Sequence, residues 1–223
     1  KGLFGKPTVV NNVETLTIIP RIILKGGEWF YHIGNPATPG TKIHTISGKV
    51  KNPGVYELPT GIPVKTIFEN VAGGMKESCE LKAILFGGPS GGFLKPDELY
   101  VRTGFETLAK NGVQMGAGGL IILDDHQDIV SLCKLFIKFS ISESCWRCTP
   151  CREGSQRIYH LLEKIEKGYG TSEDLRKLEE LSLYIIDSSF CGFGQSLPNP
   201  VLSGIEKFKV EFESKLYNFM GVK

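Results

Sequence analysis

Three cysteines in the spacing C-x2-C-x2-C, Cys145, Cys148 and Cys151, stand just ahead of a helical pattern, and a fourth, Cys191, follows in the segment SSFCGFG. Thiolates are soft ligands, and a cubane cluster needs four of them, one for each iron corner. Three closely spaced cysteines can take three corners if the backbone wraps the cluster, and the fourth must come from elsewhere in the fold. Cys191 is the candidate for that fourth ligand, and its flanking glycines permit tight backbone approach. The set predicts one [4Fe–4S] cluster that carries single electrons. Four protein thiolates leave no iron open to substrate. Zinc is the competing metal, though its four-cysteine sites are usually built from two separated C-x2–4-C pairs. Arg147 and Arg152 would tune the site electrostatically, or else belong to a solvated helix start.

The elements that must position these ligands are legible in outline. From Gln127 onward the hydrophobic period is helical, with stripes through Ile129, Leu132, Cys133, Phe136 and Phe139, then Ile158, Leu161, Leu162 and Ile165, then Leu175, Leu178, Leu181 and Ile185, and finally Ile205, Phe208, Phe212, Leu216 and Phe219. Thr171 or Ser172 caps the third of these. An antiparallel pair formed by the second and third helices would return Cys191 to the side of Cys145–Cys151. Between Thr41 and Asp125 the pattern is β. KIHTISGKV and VYEL flank the turn KNPG as a hairpin, and VKTIFENVAGG forms a helix with Gly73 and Gly74 at its end. KAILFGG, ELYVRTG and GLIILDD read as further short strands. The fold class is therefore α+β, a small fold such as a β-grasp (41–125) followed by a four-helix bundle carrying an iron–sulfur cluster (126–223). Residues 1–40 are loop-rich. Their apolar stretch TLTIIPRIIL is helical in period, with Pro20 either opening a second helix or kinking one. The segment resembles the trailing edge of another domain.

Composition excludes several function classes. A net charge of +2 over 223 residues, with Lys and Arg mixed among Asp and Glu, offers no basic surface for nucleic acid. No run approaches the roughly 18 apolar residues of a membrane span, and no signal peptide opens the chain. The chain starts at Lys1, which suggests processing or truncation. Six cysteines without a secretory signal argue for a reducing compartment and metal chemistry over disulfides. Cys79 and Cys133 have no partner at ligand spacing and are read as structural. The glycine clusters at 87–92 and 115–119 lack phosphate-loop spacing and are read as turns. His32, His44, His126 and His160 are isolated and are given no role.

ESCWRCTPCREG followed by SFCGFGQSLPNPV resembles the C-terminal iron–sulfur domain of the NADH-binding flavoprotein subunit of respiratory complex I, and of the related diaphorase subunits of NAD(P)-linked hydrogenases and formate dehydrogenases. KGLFGKPTVVNNVETL is similar to the family segment that closes the flavin pocket. GTKIHTISGKVKNPGVYELPTG is similar to its soluble-ligand-binding β-grasp domain, which implies a small ubiquitin-like β-grasp domain over 41–125. The resemblance implies an oxidoreductase component in which FMN takes a hydride from NAD(P)H and passes single electrons to this cluster. Residues 1–40 would be the C-terminal remnant of the FMN/NADH-binding domain, with Asn11 and Asn12 beside the flavin; by pattern alone VNNVET is a turn into a helix. The rest of that domain is absent, so this chain alone would not oxidise NADH. The implied partners are a thioredoxin-like [2Fe–2S] subunit and a larger iron–sulfur subunit, with cytoplasmic location and any membrane association made through those partners. One departure is Trp146, where members usually carry Gly. The alternative function is a β-grasp module that binds a ligand or protein and has a structural cluster or zinc site.

Overall fold

Asn12 opens the first long helix: its side-chain oxygen accepts the N–H groups of Glu14 and Thr15 at 2.9 and 3.3 Å, satisfying two donors that the first turn leaves free. The computed structural model describes residues 2–76 and 78–217. Helix α1 (Val13–Lys25) runs without a break through Pro20, so the proline sits inside one helix and does not start a second. A short α2 (Gly27–Tyr31) and a two-residue ribbon, β1 (Gly34–Asn35) with β2 (Thr38–Pro39), lead into the sheet. Glu14 ties α1 to that sheet by accepting the Ile43 N–H at 2.7 Å and pairing with Lys42.

The main sheet has the order β4-β3-β7-β5-β6. β3 (Thr41–Gly48) and β4 (Gly54–Pro59) form the expected antiparallel hairpin. β7 (Gly119–Asp124) lies parallel to β3 and antiparallel to β5 (Leu81–Phe86). The edge strand β6 is Gly92–Leu94. ELYVRTG is not a strand, contrary to its β-like composition. Its backbone instead bonds the segment before α3 (Val64–Thr66), where Val64 N–H donates to Val101 O and Thr103 N–H to Ile62 O, both at 2.9 Å. The helix expected from VKTIFENVAGG loosens into a π-type turn at Ile67–Val71. It ends with Gly74 N–H donating to Phe68 O at 2.9 Å. The glycine clusters form turns on either side of the short α4 (Phe105–Ala109). At Gly87, with φ +94°, an added Cβ would sit 2.1 Å from Gln114 O, so no other residue fits.

The helices that follow are α5 (Ile129–Glu143), α6 (Thr149–Glu166), α7 (Ser172–Ser188), α8 (Gly192–Ser196), α9 (Asn199–Lys207) and α10 (Lys209–Ser214). The single fourth helix read from the Ile205–Phe219 stripe is thus two helices, broken at Phe208 (φ −126°, ψ 35°). There the ring turns to meet Phe93 edge-on at 5.9 Å, so tertiary packing overrides the helical period. Phe219 lies outside the described residues. Thr171 caps α7 in a reciprocal box with Asp174, whose carboxylate also takes the Lys164 ammonium at 2.6 Å and so links α7 to α6. Burial works to raise the Asp174 pKa, but these donors outweigh it and hold the carboxyl at about 2.

Alternation along β5 divides the core. Ala83 and Leu85, with Phe93 and Leu123, face the helices; Ile84 and Phe86, with Leu94, Leu120 and Ile122, face Val64, Ile67 and Leu108. Hydrogen bonds from Phe93 N–H to Ser203 Oγ (2.9 Å) and from Asn199 Nδ2 to Ser90 O (3.0 Å) lock β6 and its turn onto α9. The sheet therefore anchors the frame that holds the cysteine-bearing helices.

His44 is fully buried on β3; its Nδ1–H donates to Gly118 O at 3.1 Å, and its Nε2 has no partner. Burial is the main cause that lowers its pKa below the usual 6.5, with Lys42 adding to it and the Gly118 and Glu14 contacts opposing. The folded state therefore keeps the ring neutral, and below about pH 6.5 the unfolded chain binds the proton first. Stability should fall as pH drops from about 6.5 towards the depressed folded pKa. The slope from this one group is at most about 1.4 kcal/mol per pH unit. Urea unfolding at pH 7.5, 6.5 and 5.5 should show a shallower pH dependence in His44→Gln than in the parent chain. Parallel curves would remove His44 as the cause.

Candidate metal centre

Cys145 follows the end of α5 in an exposed loop, Cys148 is the N-cap residue of α6, and Cys151 lies in the first turn of that helix. Cys191 follows α7 and is the N-cap of α8. Helices α6 and α7 pack together at Gly154, where an added Cβ would lie 2.6 Å from Ile185 Cδ1, so the bare glycine sets how closely they approach. That approach returns the 189–194 turn to the start of α6. At Gly194 an added Cβ would lie 3.3 Å from Cys151 Cβ.

The four thiols converge. Burial is the main reason that the Cys151 pKa is raised; Ser144 opposes it, and Cys148, Cys191 and Cys145 all add to the rise through charge repulsion. Cys148 moves the other way. Its sulfur faces the backbone N–H of Phe190 first and that of Cys151 second, with Arg152 adding to the lowering and burial opposing it. The positive end of the α6 dipole acts in the same sense. A cation among the four sulfurs would offset the charge repulsion that opposes the Cys151 thiolate. The donor set thus fits an iron–sulfur cluster: four soft sulfur ligands, two of them buried, with backbone amides aimed at one. Among the described residues no three His, Cys, Asp or Glu side chains converge tightly enough to clasp a single ion. Thiolates sharing one zinc would stand about 4 Å apart, given Zn–S bonds of about 2.3 Å.

Trp146 has φ +61°, a left-handed conformation that costs a non-glycine residue about 1–2 kcal/mol. Its N–H donates to Ser144 Oγ at 3.2 Å, and its carbonyl accepts Arg152 Nη1 at 3.2 Å; these contacts hold the turn. Arg152 is thereby engaged in shaping the loop, whereas Arg147 is exposed. Cys133 is fully buried, with its thiol pushed well up by burial and donating to Pro200 O at 3.3 Å, and Cys79 is half-buried. The structure keeps both apart from the four-cysteine group. Asn11 and Asn12 are exposed at the opposite end of the sequence, where Asn12 is the α1 cap and Asn11 Oδ1 accepts the Asn12 N–H at 2.8 Å.

Residues 131–215, which carry all four cysteines, match the family described as the NADH-ubiquinone oxidoreductase-F iron-sulfur binding region. Residues 131–215 therefore carry the iron–sulfur binding region of that family. Residues 43–94 match the SLBB domain, a stretch that holds four of the five strands of the main sheet, most of β3 with β4, β5 and β6, in keeping with the β-grasp expectation. The NADP-reducing hydrogenase subunit HndC of Solidesulfovibrio fructosivorans is 43% identical over 213 residues, 96% of this chain and 44% of that protein. An NADH-quinone oxidoreductase subunit of Rhizobium meliloti is 39% identical over 95% of this chain and 50% of its own length. A crystal structure of an NAD+-reducing [NiFe]-hydrogenase in the H2-reduced state superposes with a TM-score of 0.85 at 35% identity, covering 98% of this chain and 37% of that one. The chain spans about half the length of the curated relatives it matches. What the match gives this chain is a 4Fe–4S-type binding region. No described helix is long and apolar enough to cross a membrane.

Sequence reasoning missed Gly154, Ser144, Ser189 and the Phe190 amide. The available signal was a serine beside or close to each cysteine arm, in ESC and SSFC.

Proposed function

We propose that Cys145, Cys148, Cys151 and Cys191 ligate one [4Fe–4S] cluster and that the chain relays single electrons within an NAD(P)H-dependent oxidoreductase complex. The observation that carries this reading is the convergence of all four thiols on Cys151 within a matching iron–sulfur region. When bound, the cluster supplies one-electron transfer with little rearrangement. The chain's own residues favour the thiolate of Cys148: the Phe190 and Cys151 amides face its sulfur, and it caps the N-terminus of α6. Gly154 fixes the spacing of the two helices from which the ligands come.

The flavin and nicotinamide sites belong, in this reading, to the part of the complete subunit that this chain does not span. Asn11 and Asn12 would sit at the edge of the FMN site, Asn12 through its amide N–H groups, because its oxygen is engaged in capping α1. Residues 1–40 would then be the end of the FMN/NADH domain, 41–125 the β-grasp domain and 126–223 the cluster domain. A thioredoxin-like [2Fe–2S] subunit and a larger iron–sulfur subunit would exchange electrons with it on the cytoplasmic side of a membrane or in the cytoplasm. The test is reduction of the purified, cluster-loaded chain. Dithionite should bleach the visible absorption, whereas NADH alone should not, and no flavin should copurify. Bleaching by NADH, or stoichiometric bound FMN, would contradict this division of labour.

A further inference from the structure

Two serine hydroxyls border the thiols, one from each arm of the site. Ser144 Oγ lies 3.4 Å from Cys151 Sγ and accepts the Trp146 N–H at 3.2 Å. A hydroxyl that already accepts from an amide turns its own proton elsewhere, and the nearby sulfur is the acceptor. Ser189 is 5% exposed, and its Oγ has no hydrogen-bond partner. Its backbone is fixed, with its N–H donating to Ile185 O at 3.1 Å and its carbonyl accepting from Gln195 Nε2 at 3.1 Å. A Cβ built at Gly194 would lie 2.7 Å from Ser189 Oγ and 3.3 Å from Cys151 Cβ, so hydroxyl and thiol arm meet across a bare glycine. A buried hydroxyl with nothing to donate to is left with its desolvation cost uncompensated. Two hydroxyls on opposite arms, both next to Cys151, point to a sulfur acceptor between them.

We propose that Ser144 and Ser189 donate hydrogen bonds to sulfur atoms of the cluster, thiolate or bridging sulfide, and thereby raise its reduction potential. This rests on the four cysteines being the cluster ligands. Reduction adds one negative charge to the site, and a donor dipole aimed at sulfur stabilises the more negative state. Neither hydroxyl gains or loses a proton. Together they set how readily the site accepts an electron, which the ligand set alone does not determine.

The experiment is an EPR-monitored redox titration of the full chain, loaded anaerobically, beside Ser144→Ala, Ser189→Ala and the double variant, with iron and sulfide measured first. Each single variant should keep its cluster and shift to lower potential. The reduced-to-oxidised ratio at a fixed potential should fall several-fold for each and by tenfold or more for the pair; tenfold corresponds to about 59 mV for a one-electron couple. Resonance Raman Fe–S stretching bands of the parent chain should also shift in D2O, and that shift should shrink in the double variant. If Ser189→Ala fails to load, Ser144→Ala at its half-buried site and the D2O shift of the parent decide. Superimposable titrations in fully loaded variants, with no D2O effect, would overturn the proposal and leave the cluster assignment standing. A parent chain that binds no cluster would overturn the assignment itself, and the proposal with it.

Discussion

Cys148→Ala should abolish cluster binding, taking iron from about four per chain to near zero and removing the visible absorption. Cys148 is the ligand with most support from its surroundings. It is 7% exposed, caps α6, and faces the amides of Phe190 and Cys151. An alanine there removes one corner of the cubane and leaves two amides aimed at a methyl group. Cys191→Ala should have the same consequence from the other arm. Cys79→Ala and Cys133→Ala are the controls, because Cys79 stands apart from the group and Cys133 is buried beside Pro200 O, where its thiol stays protonated. The measurement is iron and sulfide content with the visible spectrum after anaerobic loading. Full iron content in Cys148→Ala, or its loss in Cys133→Ala with the chain still folded, would contradict the ligand assignment.

The second large effect concerns a residue that touches no metal. Gly154→Val should lower cluster occupancy by more than half and destabilise the chain by about 1–3 kcal/mol through overpacking. An added Cβ at this position would overlap Ile185 Cδ1 and Cγ1 at 2.6 and 2.7 Å. The end of an isoleucine can yield to one methyl group, so Gly154→Ala should be mild, helped by alanine's better helix propensity. A branched side chain leaves α7 no option except to move away from α6. Ile185 is less than two turns ahead of Cys191, and Gly154 is one turn past Cys151, so the displacement falls on the two ligand arms. Iron content and thermal unfolding across Ala, Val and Leu at this site should worsen in that order. A stable, fully loaded Gly154→Leu chain would show that the α6–α7 spacing does not govern the site.

The ligand set was legible in the sequence because cluster binding imposes short fixed spacings, and because two long periodic stretches joined by the turn GYG can only lie antiparallel. Helix starts were legible for a local reason: Thr171 and Asp174 form a capping box within four residues. What escaped depends on distant packing. ELYVRTG has the alternation of a strand, but strand identity requires a ladder partner, and its carbonyls and amides are instead taken by residues 62–65. The stripe ending at Phe219 predicted one helix because periodicity does not register the pull of Phe93 on Phe208. Gly154 and Ser189 look ordinary in sequence, and only the helix crossing and the missing hydroxyl partner give them meaning. Trp146 was visible as a departure from the family pattern, but its physical cost, a positive φ where members usually carry Gly, required the backbone.

The central claim is that the four cysteines hold one redox-active cubane. It is tested most directly by anaerobic purification of the chain, metal analysis, and EPR after dithionite reduction. The account predicts iron and sulfide in equal amounts, no zinc, and a spin-half signal of a reduced [4Fe–4S] cluster that disappears on reoxidation. Stoichiometric zinc, or an iron centre that never yields this signal on reduction, would contradict it.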